Sequence, residues 1–484
     1  MKGIANIFFI TFIPFVCFSQ GEFNIWYFGV HAGISFNSGS PVAIPYNPMS
    51  QAVLAGVSVS DSAGNILFYS DGRKIWNRNN DLMPNGAGLL GGEIDCQNIS
   101  VQDVVNPNIY YLFGVDVRPI AGETIVGLHY SVINMQLDGG LGDIVPGMKN
   151  IFLPMGDSSY TQLCATRHRN NRDAWVVALR HGDIQCDKYL AYLIDSTGLN
   201  TTPVVSQSTL KNSITPLPPN PGGASGFMRI SPNGQYLFCT DSLTEMCLFN
   251  NSMGVVTPQF RFWPGPGKKP PESQEFSIDS RYVYFTTGAS PPNAPYAVIQ
   301  FDMINLDSNA FLQTQTVIGD SCGYNIQMAP NGKIYVTNYS NIIDSLNVIN
   351  NPSLQGISCN YQNNAFCLEG NPHNYCLPQF LQRYKAYIHS AGQCQNDSVR
   401  FSSDIWPPPD SIHWDFGDPG SGSMNYSNLP NPFHIYYDSG SYLVECFVRH
   451  IDKRTDTSWL TVVVHSSPDP VLGSDRTICT GDSV

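Results

Sequence analysis

The chain reads as all-β: a β-propeller of about seven blades over residues 20–384, then a compact β module, then the opening of another. Three observations predict this. Short polar turns recur, each followed at once by an aromatic-rich or alternating apolar run, and no amphipathic stretch of ten or more residues reads as a helix. The composition suits many short strands joined by tight turns, with 42 Gly, 35 Pro and 24 Tyr but only 13% charged residues. Finally, the turn–strand unit repeats at a spacing near that of a four-stranded blade.

The start of the chain predicts export. Lys2 supplies a positive charge, Ile4 to Phe18 is an uncharged apolar run, and Ser19 follows as the small residue of a cleavage site. Val16 before Cys17 does not fit a lipoprotein signal, so residues 1–19 are expected to be a signal peptide and the mature chain to begin near Gln20. No second long apolar run is present, so no membrane span is expected. The 25 basic and 38 acidic residues leave a net charge of −13, which argues against nucleic acid or an anionic membrane as partner.

The repeat is explicit. Asp61-Ser-Ala-Gly-Asn65 precedes Ile66, Asn106-Pro-Asn108 precedes Ile109, and Asn170-Asn-Arg-Asp173 precedes Ala174. Ser231-Pro-Asn-Gly234, Ile278-Asp-Ser280 and Ala329-Pro-Asn-Gly332 each precede a further such run. From Ile66 to Lys333 is 267 residues in five intervals, a mean of about 53, near the roughly 40–50 of a propeller blade with some long loops. The Gly or Asn accepts positive φ, and the Tyr/Phe/Val face that follows must be covered by a neighbouring sheet. A seventh unit would combine Asn24-Ile-Trp-Tyr-Phe28 with the last strands before Tyr384. Six or eight blades are the alternatives, and a two-sheet sandwich would have to absorb about 360 residues as one domain.

Residues 385–467 change character. Cys394-Gln-Asn-Asp-Ser-Val399, Trp414-Asp-Phe-Gly-Asp418, Pro432-Phe-His-Ile-Tyr436 and Gly440-Ser-Tyr-Leu-Val444 follow in order and strongly resemble a PKD domain. The resemblance implies an immunoglobulin-like sandwich whose structural motif is Trp414, Asp415, Phe416, Gly417, Asp418, His434, Tyr436, Gly440 and Tyr442. Pro419 departs from the family's usual Gly, so the turn after Asp418 is expected to differ in shape. Trp414 and Phe416 alternate with Asp415, which sends both rings to the core. Cys479-Thr-Gly-Asp-Ser-Val484 echoes Cys394 to Val399, so residues 468–484 are expected to start a further module of a longer protein.

The first region resembles secreted proteins of Bacteroidetes-type bacteria, on Asn24-Ile-Trp-Tyr-Phe-Gly29, Ser60 to Gly72 with Trp76-Asn77, Gly127-Leu-His-Tyr-Ser131 and Leu377-Pro-Gln-Phe380. That likeness implies a propeller-like head before PKD repeats, a link to gliding motility, and a type IX sorting domain, with secretion-machinery contact through a region beyond Val484. The triplets at Asp61, Asp241, Asp344, Asp397 and Asp410 resemble O-glycosylation sites of the same bacteria.

No catalytic residue, cofactor or metal ligand set is expected, because no G-x-S-x-G elbow, H-E-x-x-H, phosphate loop or C-x-x-C pattern is present. Possible disulfides are Cys164 with Cys186, Cys239 with Cys247, and Cys394 with Cys446, although spacing leaves connectivity open. Arg167-His-Arg169 with Arg172 and Asp173 reads as a solvated loop, the alternative being an anionic-sugar site. Asp415 and Asp418 read as turn-stabilising carboxylates before calcium ligands, and His434 as a core or turn histidine. Trp26, Trp76, Trp175 and Trp263 read as blade packing before a sugar platform. The expected function is a secreted or cell-surface adhesin-type protein that binds an extracellular glycan or protein. The alternative is a polysaccharide lyase or glycosidase with its site at the propeller mouth.

Overall fold

In the computed structural model, the described residues are 21–466 except 39, 45, 50–55, 92–96, 121–122, 157–158, 171, 182–185, 211–226, 241–242, 263–270, 288–295, 321, 339–343, 374–376, 382–386, 406–408 and 450–454. The expected signal peptide (1–19) and module start (468–484) lie outside them. The chain is all-β and divides into two compact units. One is built on Met1–Lys385 and the other on Ala386–Ile405, Pro409–Arg449 and Thr457–Val484.

Among the described residues, the strands of the first unit form seven antiparallel sheets, each a meander in chain order. The first holds Ile25–Phe28, Ala32–Ser38 and Ser40–Ala43. The second holds Val57–Ser60, Ile66–Ser70, Lys74–Asn77 and Leu82–Ala87. The third begins Asn98–Gln102, Ile109–Ile120 and Glu123–Asn134. The fourth begins Ser159–Arg167, Ala174–His181 and Cys186–Asp195. The fifth comprises Met228–Ile230, Tyr236–Thr240, Thr244–Asn250 and Val255–Phe262. Pro271–Phe276, Tyr282–Thr287, Ala297–Asp302 and Thr316–Asp320 form the sixth. Cys322–Met328, Ile334–Asn338, Ser345–Ile349 and Tyr361–Cys367 form the seventh.

The recurring turn of the sequence joins the first strand to the second in sheets two to seven. In the fifth sheet Ser231 N–H donates to Tyr236 O and Gly234 N–H to Ser231 O. The Ser231 hydroxyl accepts from Tyr236 N at 2.9 Å, and Asn233 Oδ1 accepts from Gln235 N at 3.0 Å. Gly64, Gly234 and Gly332 take positive φ at equivalent places (85°, 66° and 75°). Ser280, at φ 59°, holds that place in the sixth sheet and accepts through its hydroxyl from Asn233 N at 3.0 Å.

Apolar side chains bury between consecutive sheets, as two-faced sheets require. Ile25, Tyr27, Tyr69 and Trp76 join the first sheet to the second, and Phe68, Ile75, Tyr110 and Leu112 the second to the third. Phe113, Leu128, Val176 and Tyr192 join the third to the fourth. Val177, Tyr189, Leu237 and Phe249 join the fourth to the fifth. Phe238, Phe262, Phe285 and Phe301 follow between the fifth and sixth, then Tyr284, Val298, Ile326 and Val336 between the sixth and seventh. The seventh sheet then shares a cluster with the first: Tyr335, Leu346 and Val348 pack with Trp26, Phe28, Ile34, Leu377 and Phe380. Near this cluster Gln379 N–H donates to Gly56 O at 2.9 Å.

The second unit pairs a three-stranded sheet (Tyr387–Ala391, Ser398–Asp404, Phe433–Ile435) with a four-stranded one. The latter is ordered Tyr426–Ser427, Ser411–Asp415, Gly440–Arg449, Thr455–Val464. Phe401, Trp414, Phe416, Tyr436, Val444, Cys446 and Val462 form its core. No helix among the described residues is long and apolar enough to cross a membrane.

Candidate functional site

The first strands of sheets two to seven lie against one another in sequence. They carry polar side chains at buried positions, where each needs a partner. Gln162 Nε2 donates to Thr240 O (2.9 Å), and Gln97 Oε1 accepts from Leu163 N (2.8 Å). Gln274 Nε2 donates to Phe227 O and Phe238 O at 2.7 and 2.9 Å. Each of these bonds crosses from one sheet or its flanking segment to another.

A buried ion pair lies in the same belt. Arg229 Nη2 stands 3.6 Å from Glu275 Oε2 and donates to Gln327 Oε1 at 3.0 Å, so fifth, sixth and seventh sheets meet at one guanidinium. Glu275 also accepts from Met328 N and Phe276 N, both at 3.0 Å. A buried charge tolerates this position only with such a complete set of partners.

Glu245 in the fifth sheet is a second buried carboxylate. It accepts from Tyr189 Oη (2.6 Å), Ser208 Oγ (3.0 Å), Thr209 N (2.9 Å) and the Thr209 hydroxyl. Burial first, then the Cys247 and Cys239 thiols and Glu245, push the Tyr189 hydroxyl well above its ordinary value. These polar groups were absent from the sequence reading. Their partners are non-local, so no local signal marks them.

The cysteines correct the expected pairing. Among the described residues no disulfide joins Cys164, Cys239, Cys247, Cys394 or Cys446. Cys239 lies opposite Glu245 and Cys247 opposite Leu237, a diagonal offset of two residues, which holds the sulfurs too far apart to bridge without backbone movement. Cys164 and Cys186 sit on the first and third strands of the fourth sheet, with Ala174–His181 between them. The side chain of Cys186 lies outside the described residues. Cys394 is exposed while Cys446 is buried in the sandwich core. Burial pushes the Cys164 thiol up to about 12, so it stays protonated and unreactive.

The structure gathers the nine motif residues of the second unit around one turn and the strands beside it. Trp414 is fully buried and its indole N–H donates to Leu429 O at 3.0 Å. Asp415 Oδ1 accepts from Gly417 N (2.9 Å) and Asn425 Nδ2 (2.7 Å). Gly417 has φ 68°, and a Cβ there would stand 2.4 Å from Leu443 O, so only glycine fits. His434 Nε2 and Asp418 Oδ2 are 2.9 Å apart, while the imidazole stacks on Phe416 at 4.6 Å. Tyr436 Oη donates to Phe416 O (2.9 Å) and Tyr442 Oη to Asp438 O (2.8 Å), and Gly440 opens the strand that carries Tyr442. After Asp418, Pro419 starts a short 3-10 segment to Asn425 with Gly422 at φ 62°. Both carboxylates thus act within the turn, and among the described residues no cluster of three His, Cys, Asp or Glu is placed to hold a metal.

The basic cluster is a turn of the fourth sheet. Asp173 accepts from Arg172 Nε (2.8 Å) and Asn170 Nδ2 (2.6 Å), and Arg167 Nη1 donates to Arg172 O (2.9 Å). His168 Nε2 is 3.1 Å from Ser252 O, and Trp175 Nε1 donates to Asn251 O at 2.8 Å, tying this turn to the fifth sheet. Trp26, Trp76 and Trp175 are buried, and Trp263 lies outside the described residues. Of the Asp-Ser triplets, Ser62 and Ser411 are exposed, Ser345 is buried, and Ser242 lies outside the described residues. A cavity of about 40 Å³ lined by Ser58, Ser100, Tyr110 and Gln379 has room for a water and not for a sugar.

No protein-family model and no curated protein matches the chain. Among solved structures, it is similar to the PKD1 domain of the Vibrio cholerae metalloprotease PrtV, 26% identical over 16% of this chain and 93% of that one, with a TM-score of 0.14. It is also similar to the extracellular domain of a hybrid two-component system from B. thetaiotaomicron, 9% identical over 93% of this chain and 56% of that one, TM-score 0.34. A third is the dihydro-heme d1 dehydrogenase NirN, 11% identical over 72% and 74%, TM-score 0.35.

Proposed function

We propose that this chain is a secreted or cell-surface binding protein, with a seven-bladed β-propeller head at residues 20–384 and a PKD-type stalk module at 385–467. The observation that carries the head is the cyclic order of apolar clusters, in which sheet seven packs on sheet one. An open stack would leave Trp26, Phe28 and Tyr335 uncovered, whereas closure buries them. The first sheet has three strands, and Leu377 to Leu381 would supply its inner fourth.

A binding role, and not catalysis, is supported by how the inner strands spend their polar groups. Arg229, Glu275, Gln162 and Gln274 are bound to neighbouring backbone and to each other, which rigidifies the head. The partner would be an extracellular glycan or protein met by the loops around the head, with display through secretion machinery of the type IX kind associated with gliding motility. Deleting the gene from its native bacterium should reduce adhesion and surface spreading, and complementation should restore both. Unchanged adhesion, spreading and glycan binding would overturn the reading, and release of reducing ends from a polysaccharide by the purified chain would replace it with an enzyme.

A further inference from the structure

The four-stranded sheet of the second unit turns Val444, Cys446, Val448, Val462 and Val464 to its core. Strand alternation therefore sends their neighbours to the opposite face. That face carries exposed apolar side chains: Tyr426 is 51% accessible, Leu443 59%, Trp459 53% and Val463 46%. Isolated apolar residues on a surface are ordinary, but a contiguous aromatic group marks a binding site. The outward positions of the three-stranded sheet include His389, Arg400 and Ser402, with a single exposed apolar ring among the described residues, Phe433, opposite Arg400.

The exposed face has an ordered cross-section. Tyr426 lies opposite Asp415, and Asp415 lies opposite Glu445. Trp459 closes the row, its indole N–H donating to Glu445 Oε2 at 3.2 Å. His413 stacks on Tyr426 with centroids 5.6 Å apart and planes 16° from parallel, and it pairs with Phe447 across the sheet. Three strand spacings separate the strands of Tyr426 and Trp459, roughly 14 Å, the reach of a short oligosaccharide.

We propose that this face binds a neutral polysaccharide chain laid across the strands. Tyr426 and Trp459 would take the apolar C–H faces of sugar rings. Between them Glu445, and Asp415 through the oxygen other than the Oδ1 that holds the turn, are acceptors suited to sugar hydroxyls, since an ionised carboxylate only accepts. Charge selects among occupants. The carboxylate row and the chain's net charge of −13 repel a polyanion. A second copy docked through the same face by two-fold symmetry would oppose acidic rows. The proposal goes beyond the head-and-stalk reading, because it gives the second unit a ligand of its own.

Affinity electrophoresis of the full chain through gels containing laminarin, galactomannan, xylan, heparin or polylysine tests it. At least one neutral polysaccharide should retard the protein. Trp459→Ala combined with Tyr426→Ala should weaken that retardation at least tenfold, while Trp459→Phe, which keeps a ring, retains most of it. Unchanged melting temperature in these surface variants shows that the fold survives. Retardation by no neutral polysaccharide, retardation undiminished in the double variant, or stronger retardation by heparin would each overturn the proposal, as would retardation by polylysine that falls in the double variant more than retardation by any neutral polysaccharide. Adhesion lost on gene deletion but kept by the double variant would defeat this site alone and leave the head reading standing.

Discussion

Arg229 and Glu275, on neighbouring first strands, form a buried pair whose nearest charged atoms are 3.6 Å apart, and the guanidinium also donates to Gln327 Oε1 and Gln274 O. With Gln327 the pair links three consecutive sheets through side chains up to 98 residues apart. Removing one member leaves the other charge buried, and such losses run to about 3–5 kcal/mol. Arg229→Met should therefore lower stability by about that amount in urea unfolding. Replacing both residues with Met should recover part of the loss, because the surviving charge is then gone too.

Phe380 tests whether its segment completes the first sheet, as proposed. Its ring lies 5.7 Å from Trp26 and 5.1 Å from Phe23. Phe380→Ala should cost about 3–5 kcal/mol and make the chain at residues 377–381 more readily cut in limited proteolysis. Equal cleavage rates in wild type and variant would remove the closing role given to this segment.

Gly234 tests the repeated turn. Its φ is 66°, and a Cβ would stand 2.2 Å from Asn251 Nδ2. Gly234→Ala should destabilise by about 1–3 kcal/mol through strained backbone and this contact. Ser280→Ala should also destabilise, by about 1 kcal/mol, through loss of the bond from Asn233 N. Thermal unfolding of both variants checks the pair.

His373 makes stability depend on pH. Burial lowers its pKa to about 4, and its Nε2 accepts from Asn338 N at 3.3 Å. The unfolded histidine titrates near 6.5, so between about 4 and 6.5 the unfolded chain binds the extra proton. Stability from this group is thus complete above about pH 6.5 and is lost as pH falls toward 4, amounting to about 3 kcal/mol. In His373→Gln, the slope of unfolding free energy against pH across that window should flatten. An unchanged slope would assign the dependence to other groups.

Local features were legible in the sequence, and non-local ones were not. Ser231-Pro-Asn-Gly234 and Ala329-Pro-Asn-Gly332 announce their turns because the bonds that hold them lie within six residues. The apolar runs after them were readable as strands because side-chain alternation is written in the chain. The Glu245 site was invisible, since Tyr189 and Thr209 reach it from 56 and 36 residues away. Disulfide pairing failed for a related reason: Cys239 and Cys247 have a plausible spacing, but register decides their distance, and register is a property of two strands. On the sandwich, Trp459 gave no hint of exposure, because Thr455–Val464 reads as an ordinary strand until its partner sheet fixes which side is inside.

The packing of Trp26 carries a lesson about biosynthesis. Its neighbours are Phe36 close by, Tyr335 and Phe380. A chain emerging from its N-terminus therefore holds the first sheet's aromatic face bare until more than three hundred residues have followed. A product ending before Phe380 would leave Trp26 and Phe28 open to any sticky neighbour, so completeness of the whole unit can be read from that one surface.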